Sequence, residues 1–290
     1  MTADWLESFL AQERLPESFR ATLHLVCEPL AELAEQRRRA RRGCTLIGLA
    51  GAQGSGKSTI AQATAKLLQS RGVDAIAVSL DDFYLPREAR QALAQDWHPL
   101  FATRGPPGTH DVALACATLD RLQLPGRVTL PAFDKAADDR KPREDWPSAL
   151  APADVVFFEG WCVGAHPQEP GALAQPVNAL EADEDPNGDW RNKVNDQLAG
   201  PYRSLFGRLD ALGFLAAPSF EVVLGWRRDQ ERKLTAGTGQ GMSDDDLARF
   251  VAHYERLTRW MLAETPGRAD LTFPLDEERR PSAPTFVRPA

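Results

Sequence analysis

Apolar residues recur at three- and four-residue intervals through residues 5–40: Trp5, Leu6, Phe9 and Leu10, then Phe19, Leu23, Val26, Leu30 and Leu33. That spacing predicts helices, with Pro16 and Pro29 breaking or starting segments. The pattern then changes to a continuous apolar run, TLIGLAG (45–51), which reads as a buried strand. Ile60, Ala63, Thr64, Leu67 and Leu68 return to helical spacing, and Gly72 is placed to end that helix. DAIAVSLDD (74–82), RVTLPAFD (127–134), DVVFFEG (154–160) and SFEVVLGW (219–226) read as further strands, and Val112, Ala115, Leu119 and Leu122 as one helix face. The polar stretch within 163–195, EADEDPNGD above all, is expected to be a surface loop.

Strands alternating with helices predict an α/β fold, a parallel sheet covered by helices on both faces. Ligands of such sheets sit outside the carboxyl ends of the strands. Asp81, Asp82, Asp134 and Glu159 all fall at predicted strand C-termini, so they are expected to converge on one rim. The division expected is an N-terminal helical extension over 1–43 and a nucleotide-binding domain over 44–290.

Composition narrows the partners. The 43% hydrophobic content supplies an ample core, and no run approaches the roughly 18 apolar residues of a membrane span. MTADWLESFL has neither a basic n-region nor an apolar h-region, so no secretory signal is expected. The net charge of −7 argues against a nucleic-acid partner. Cys27, Cys44, Cys116 and Cys162 form no CxxC pair and read as reduced thiols of a cytoplasmic protein. RRRARR (37–42) reads as a solvated helix end in preference to a phosphate-binding patch. Oligomeric state is not legible.

The sharpest signal is GAQGSGKST (51–59), a G-x-x-x-x-G-K-S loop between a predicted strand and a predicted helix. Gly51, Gly54 and Gly56, with Ala52, Gln53 and Ser55 between them, let backbone amides turn inward around phosphate oxygens. Lys57 is placed to bridge the terminal phosphates, Ser58 to offer a hydroxyl to Mg2+, and Thr59 to extend the helix start. ATP with Mg2+ is the expected cofactor pair.

Two acids bear on the chemistry. In SLDDFYL (79–85), Asp81 is the candidate base for a substrate hydroxyl. Asp82 is a second carboxylate for substrate or metal water, or a turn cap. In VVFFEGW (155–161), Glu159 follows four apolar residues and is placed to hold Mg2+ or to orient Asp81; a purely structural Glu is the alternative.

Together with HPLFATRGPPGTHD (98–111), FDKAADDRKP (133–142), FEGWCVGA (158–165), WRRDQE (226–231) and GMSDDDLARFVAHYERLTRW (241–260), these stretches resemble the D-glycerate 3-kinases. Those belong to the broader group of phosphoribulokinase, uridine kinase and pantothenate kinase relatives. The likeness spans about residues 16–275. It implies a P-loop kinase moving the γ-phosphoryl of ATP to D-glycerate, with 3-phosphoglycerate as product. Asp81 falls on the position of the base in the uridine-kinase relatives, where the pattern reads D-S-F-Y; Asp82 departs from that pattern.

A small acid with two hydroxyls needs cations for its carboxylate, since an arginine grips one through two parallel hydrogen bonds. The candidates are Arg104, Thr109, His110, Lys135 and Arg140, with Asp111 or Asp134 accepting from the idle hydroxyl. Thr109 or Asp111 fits equally well as the cap of the helix near 111. Trp97, Phe133 and Trp161 are candidate pocket walls or core. Residues 227–243 read as a lid, with Arg227, Arg228 and Arg232 facing phosphate or solvent and Gly237, Gly239 and Gly241 as hinges. Ser243 reads as the N-cap of the next helix. Rival readings are a sister kinase for pantothenate or a nucleoside, and a nucleotide-gated regulatory protein.

Overall fold

The computed structural model describes residues 4–41, 43–238 and 242–286. Six strands form one sheet: β1 (Thr45–Gly51), β2 (Ala75–Ser79), β3 (Val155–Gly160), β4 (Ala211–Ala216), β5 (Leu271–Pro274) and β6 (Thr285–Phe286). Their spatial order is β6-β5-β4-β1-β3-β2. Every neighbouring pair is parallel except β5 and β6, which run antiparallel. The longer helices are α1 (Asp4–Gln12), α2 (Glu28–Ala40), α3 (Lys57–Ser70), α4 (Arg87–Asp96), α5 (Val112–Arg121), α6 (Asp189–Gln197), α7 (Glu221–Thr238) and α8 (Asp244–Glu264).

Alternation along each strand feeds two cores, because successive side chains leave opposite faces. Ile47, Leu49, Val155 and Phe157 pack with α2 and α3, a core that also takes Leu6, Phe9 and Leu10 of α1. Leu46, Ala50, Val156 and Phe158 pack on the other side with α5 and with Tyr254, Leu257 and Met261 of α8. Both faces being buried, the strands carry no polar alternation, which is why β1 and β3 read as unbroken apolar runs. Local stops are as the residues dictate: Gly72 follows α3 at φ +81°, and Asp111 and Ser243 cap α5 and α8 through their side chains.

Three expectations are corrected. SFEVVLGW is not a strand: α7 begins at Glu221, and Val223 and Trp226, three apart on that helix, enter the core beside the phosphate loop. The strand of that region is ALGFLA, β4. Residues 127–134 do not join the central sheet; Gly126–Thr129 pairs antiparallel with Ser148–Ala151, and Phe133–Asp134 with Asp139–Arg140. EADEDPNGD is not a surface loop. It spans the end of the helix Ala179–Glu184 and the start of α6, and Glu181 and Asp185 are each 1% exposed. Arg256 pairs with Glu181 at 2.6 Å and Arg191 with Asp185 at 3.0 Å, so the acids are buried as ion pairs.

RRRARR ends α2, and Arg37, Arg38, Arg39 and Arg41 pair with Asp270, Asp154, Glu35 and Asp210. All four cysteines are free. Among the described residues no helix is long and apolar enough to cross a membrane.

Candidate active site

The site lies at the carboxyl ends of β1, β2 and β3. Leu49 and Ser79 both stand opposite Glu159, so the three strands end level with one another. After β1 the chain turns through the glycine loop into α3. Gly54 and Gly56 take φ +76° and +86°, left-handed backbone that favours glycine. A Cβ at Gly54 would lie 2.7 Å from Cβ of Trp226, so α7 rests directly on the loop. Gly56 is the N-cap of α3, which aims the helix's positive end at the loop. Ser55 Oγ and Gln53 Oε1 are buried there without a partner, polar atoms suited to a phosphate-bearing ligand.

Ser58 Oγ donates to Glu159 Oε1 at 2.8 Å. Glu159 is 2% exposed, and its Oε2 has no hydrogen-bond partner. A hydroxyl beside a buried carboxylate with a spare oxygen fits Mg2+, which takes one or two protein oxygens and completes its shell with phosphate and water. Among the described residues no group of three or more His, Cys, Asp or Glu side chains would hold a metal unaided.

Beyond β2 a single 3₁₀ turn, Leu80–Phe83, presents the two aspartates. Asp81 Oδ1 accepts from Tyr84 Oη at 3.1 Å and its Oδ2 from Lys135 Nζ at 2.7 Å. Burial alone would raise the Asp81 carboxyl, but Lys135 and Lys57 outweigh it and hold the group well below the usual carboxylate range. Asp81 in turn holds the Lys135 ammonium above its usual value. Asp82 Oδ1 accepts from Phe133 N at 3.2 Å. Burial pushes Asp82 up to about 6, with the Asp81 and Glu159 charges acting in the same direction.

Ser58, Asp81 and Lys135 open on a cleft of about 500 Å³, while Asp82 and Glu159 are not part of its lining. The phosphate loop contributes Gln53, Gly54, Lys57 and Ser58 to its lining, and Asp81, Tyr84, Arg104 and Lys135 line it as well. Arg227, Gln230 and Glu231 of α7 and Asp246, Phe250 and Tyr254 of α8 close the side. Arg227 is buried, pairs with Glu231 at 2.8 Å and lies 5.6 Å from the Phe250 ring centre. A second hollow of about 220 Å³ continues past Gly56 and Thr59 to Asp229 and Arg279. Gly51 ends β1, and Ala52 and Ser55 are buried.

Other side chains named from sequence lie behind this lining. Thr109 Oγ1 donates to Pro106 O at 2.8 Å and accepts from Gly105 N at 2.9 Å, bracing its own loop. His110 is buried, stacks on Tyr84 at 4.4 Å and lies 2.6 Å from Tyr202 Oη through Nδ1. Burial pushes it down to about 3, so it is neutral at pH 7. Asp111 accepts from Leu114 N as the cap of α5, and Arg140 binds Tyr84 O and Asp111. Asp134 does not reach the rim with the other three acids: its strand lies outside the main sheet, and its Oδ1 accepts from Ala136 N and Ala137 N. Arg232 is exposed and sits 3.6 Å from Asp229, while Arg228 meets Asp244. Of the expected hinge glycines, Gly239 and Gly241 lie outside the described residues. Trp161 and Phe133 are buried, and Trp97 is 38% exposed against Phe101.

Tyr84, Phe250 and Tyr254 are lining residues that no sequence motif marks as such. Phe250 and Tyr254 are four apart on a helix face, a spacing that marks them as neighbours without telling which cavity they meet.

Residues 46–169 match the family described as "PRK: Phosphoribulokinase / Uridine kinase family". An uncharacterized kinase of Schizosaccharomyces pombe is 31% identical over 249 residues, covering 81% of this chain and 87% of that protein. The chloroplastic D-glycerate 3-kinase of Arabidopsis thaliana is 29% identical over 254 residues, 81% of this chain and 53% of that protein. Among solved structures, a D-glycerate 3-kinase from Cryptococcus neoformans superposes with a TM-score of 0.75 at 24% identity, covering 90% of this chain and 98% of that one, a likeness of fold.

Proposed function

The chain belongs to the phosphoribulokinase/uridine kinase family, phosphotransferases with a hydroxyl acceptor, and from that premise we propose that it phosphorylates a hydroxyl of D-glycerate with ATP, giving 3-phosphoglycerate. The observation that carries this reading is the cleft lining shared with the phosphate loop, where the Asp81 carboxylate is bound by Lys135 and held ionised by Lys135 and Lys57, with Arg104 in the same lining. A hydroxyl acceptor needs a base near the terminal phosphate, and a small acid needs fixed cations beside that base.

The glycine loop holds the triphosphate through backbone amides, and Lys57 spans its terminal phosphates. Ser58 and Glu159 would hold Mg2+, which would supply charge neutralisation on the triphosphate. Arg104 and Lys135 fix the acceptor carboxylate and so present one hydroxyl to Asp81. Asp81 is ionised throughout the neutral range; its low basicity suits a proton taken late, as the loose transition state of phosphoryl transfer allows. Arg227, beside the loop, offsets charge developing on the transferred group.

The test is ADP release from Mg-ATP with and without D-glycerate, run beside L-glycerate, pantothenate and uridine. Strong stimulation by D-glycerate alone is the expected result. Stimulation by pantothenate or uridine instead assigns a different acceptor, and slow ATP hydrolysis indifferent to all four overturns the reading in favour of a nucleotide-gated regulator.

A further inference from the structure

The hairpin Phe133–Arg140, which carries the FDKAADDR stretch, has a tip engaged by two buried arginines. Asp138, in left-handed backbone at φ +54°, lies at that tip. Arg90 of α4 is 1% exposed and is bound on every side: Nε donates to Leu85 O at 3.2 Å, Nη1 to Ala102 O at 2.9 Å and Nη2 to Asp138 O at 2.7 Å. The same guanidinium meets Asp138 Oδ2 at 2.9 Å. The other carboxylate oxygen, Oδ1, accepts from Arg104 Nη1. Arg104 is 9% exposed, lines the main cleft, and lies 5.7 Å from the Phe133 ring centre and 5.8 Å from that of Phe250.

From this chain of contacts we infer that Asp138, anchored by Arg90, is the positioning residue of Arg104, fixing the guanidinium across the cleft as a preformed fork for the carboxylate of the acceptor. Two aromatic rings lie within 6 Å of the guanidinium, at 5.7 and 5.8 Å, and one carboxylate oxygen takes one of its corners. A guanidinium has five donors in a rigid fork, so a single corner held by Asp138 leaves donors to grip a second carboxylate. A flexible cation would lose conformational freedom on binding; a held one has lost it on folding. Asp138 itself does not line the cleft and acts only through Arg104. The acceptor arm of this inference rests on the function proposed above; the positioning arm does not.

The experiment uses the full chain labelled with [15N]arginine. The Nε signal of Arg104 is assigned by its disappearance in Arg104→Lys. In Asp138→Asn, where Asn tolerates the left-handed backbone, and in Asp138→Gly, where the side chain is gone and the backbone unstrained, the Arg104 signal is expected to move toward the position of exposed arginines, with hydrogen exchange faster by about tenfold or more. An Arg104 signal unmoved in both variants, with unchanged exchange, overturns the inference whatever the acceptor is. In turnover, both variants are expected to raise KM for D-glycerate about tenfold, with KM for ATP within about twofold of wild type. In an Arg104→Lys background the same substitutions should add less than about twofold, because the two residues act as one unit. Equal effects on both KM values, or full additivity with Arg104→Lys, assign Asp138 a general structural role and overturn the positioning. Failure of the wild type to use D-glycerate sinks the acceptor reading alone, since the nitrogen spectra still decide the rest.

Discussion

Lys135 Nζ donates to Asp81 Oδ2 at 2.7 Å, joining residues 54 apart in sequence within the lining of the cleft. The contact couples the candidate base to a cation from a hairpin that the main sheet does not include. Asp81 is thereby kept ionised, and Lys135 is held where an incoming anion would meet it.

Asp81→Asn is expected to leave ATP binding within about twofold and to lower kcat by about 10²–10⁴-fold, the range for loss of a general base. Nucleotide titration and steady-state turnover check both halves. Near-normal kcat in this variant removes Asp81 as the base. The sign of its linkage is also fixed: a carboxyl held below its unfolded value contributes stability that is present above the ordinary aspartate range and lost as pH falls toward the folded value. The stability difference between wild type and Asp81→Asn should therefore shrink on acidification below about pH 4.

Asp82 behaves in the opposite sense. Its carboxyl is raised to about 6, so the folded protein favours the protonated form, and stability is lost as pH rises from the unfolded value through about 6. Asp82→Asn keeps an acceptor for Phe133 N and removes the charge. Its unfolding free energy should match wild type near pH 4 and exceed it at pH 8 by roughly 3 kcal/mol, with the thermal midpoint rising in step. Equal melting curves at both pH values would contradict the burial argument.

Glu159→Gln keeps a partner for Ser58 Oγ but gives up the charge beside the spare oxygen. The Mg2+ concentration for half-maximal turnover should rise about 10–100-fold. A magnesium titration of wild type and variant reads this directly, and coincident titrations would leave Glu159 a structural residue.

Arg256→Met breaks the buried pair with Glu181 and strands that carboxylate. Removing one partner of such a pair costs about 3–5 kcal/mol, which chemical denaturation measures. A cost under about 1 kcal/mol, the figure for exposed pairs, would mean that water reaches Glu181.

Much of the active-site scaffold was legible without coordinates. β1, the glycine loop and α3 follow from an apolar run, two glycines whose backbone must turn left-handed, and a helical repeat. Asp81, Asp82 and Glu159 were legible as strand-end acids because a parallel sheet brings its carboxyl ends to one edge. Asp134 had the same local signature, an acid after alternating apolar residues, yet its segment pairs only with its own return strand. SFEVVLGW carried β-branched residues and still folded as helix, since packing Val223 and Trp226 against the loop side of the core overrides a weak local preference.

The sequence by itself determined the elements whose cause is local: where glycine must stand, where a helix begins, which strands are buried on both faces. The tertiary structure alone decided which charges meet. Glu181 and Asp185 look like solvated loop acids until Arg256 and Arg191 are found against them, and Lys135 and Asp138 look like hairpin surface until Asp81, Arg90 and Arg104 are placed around them. Backbone geometry and hydrophobic period act over a few residues and leave a mark in the chain. An ion pair acts through space between residues that share no period, and its partners become known only when the chain has closed on itself.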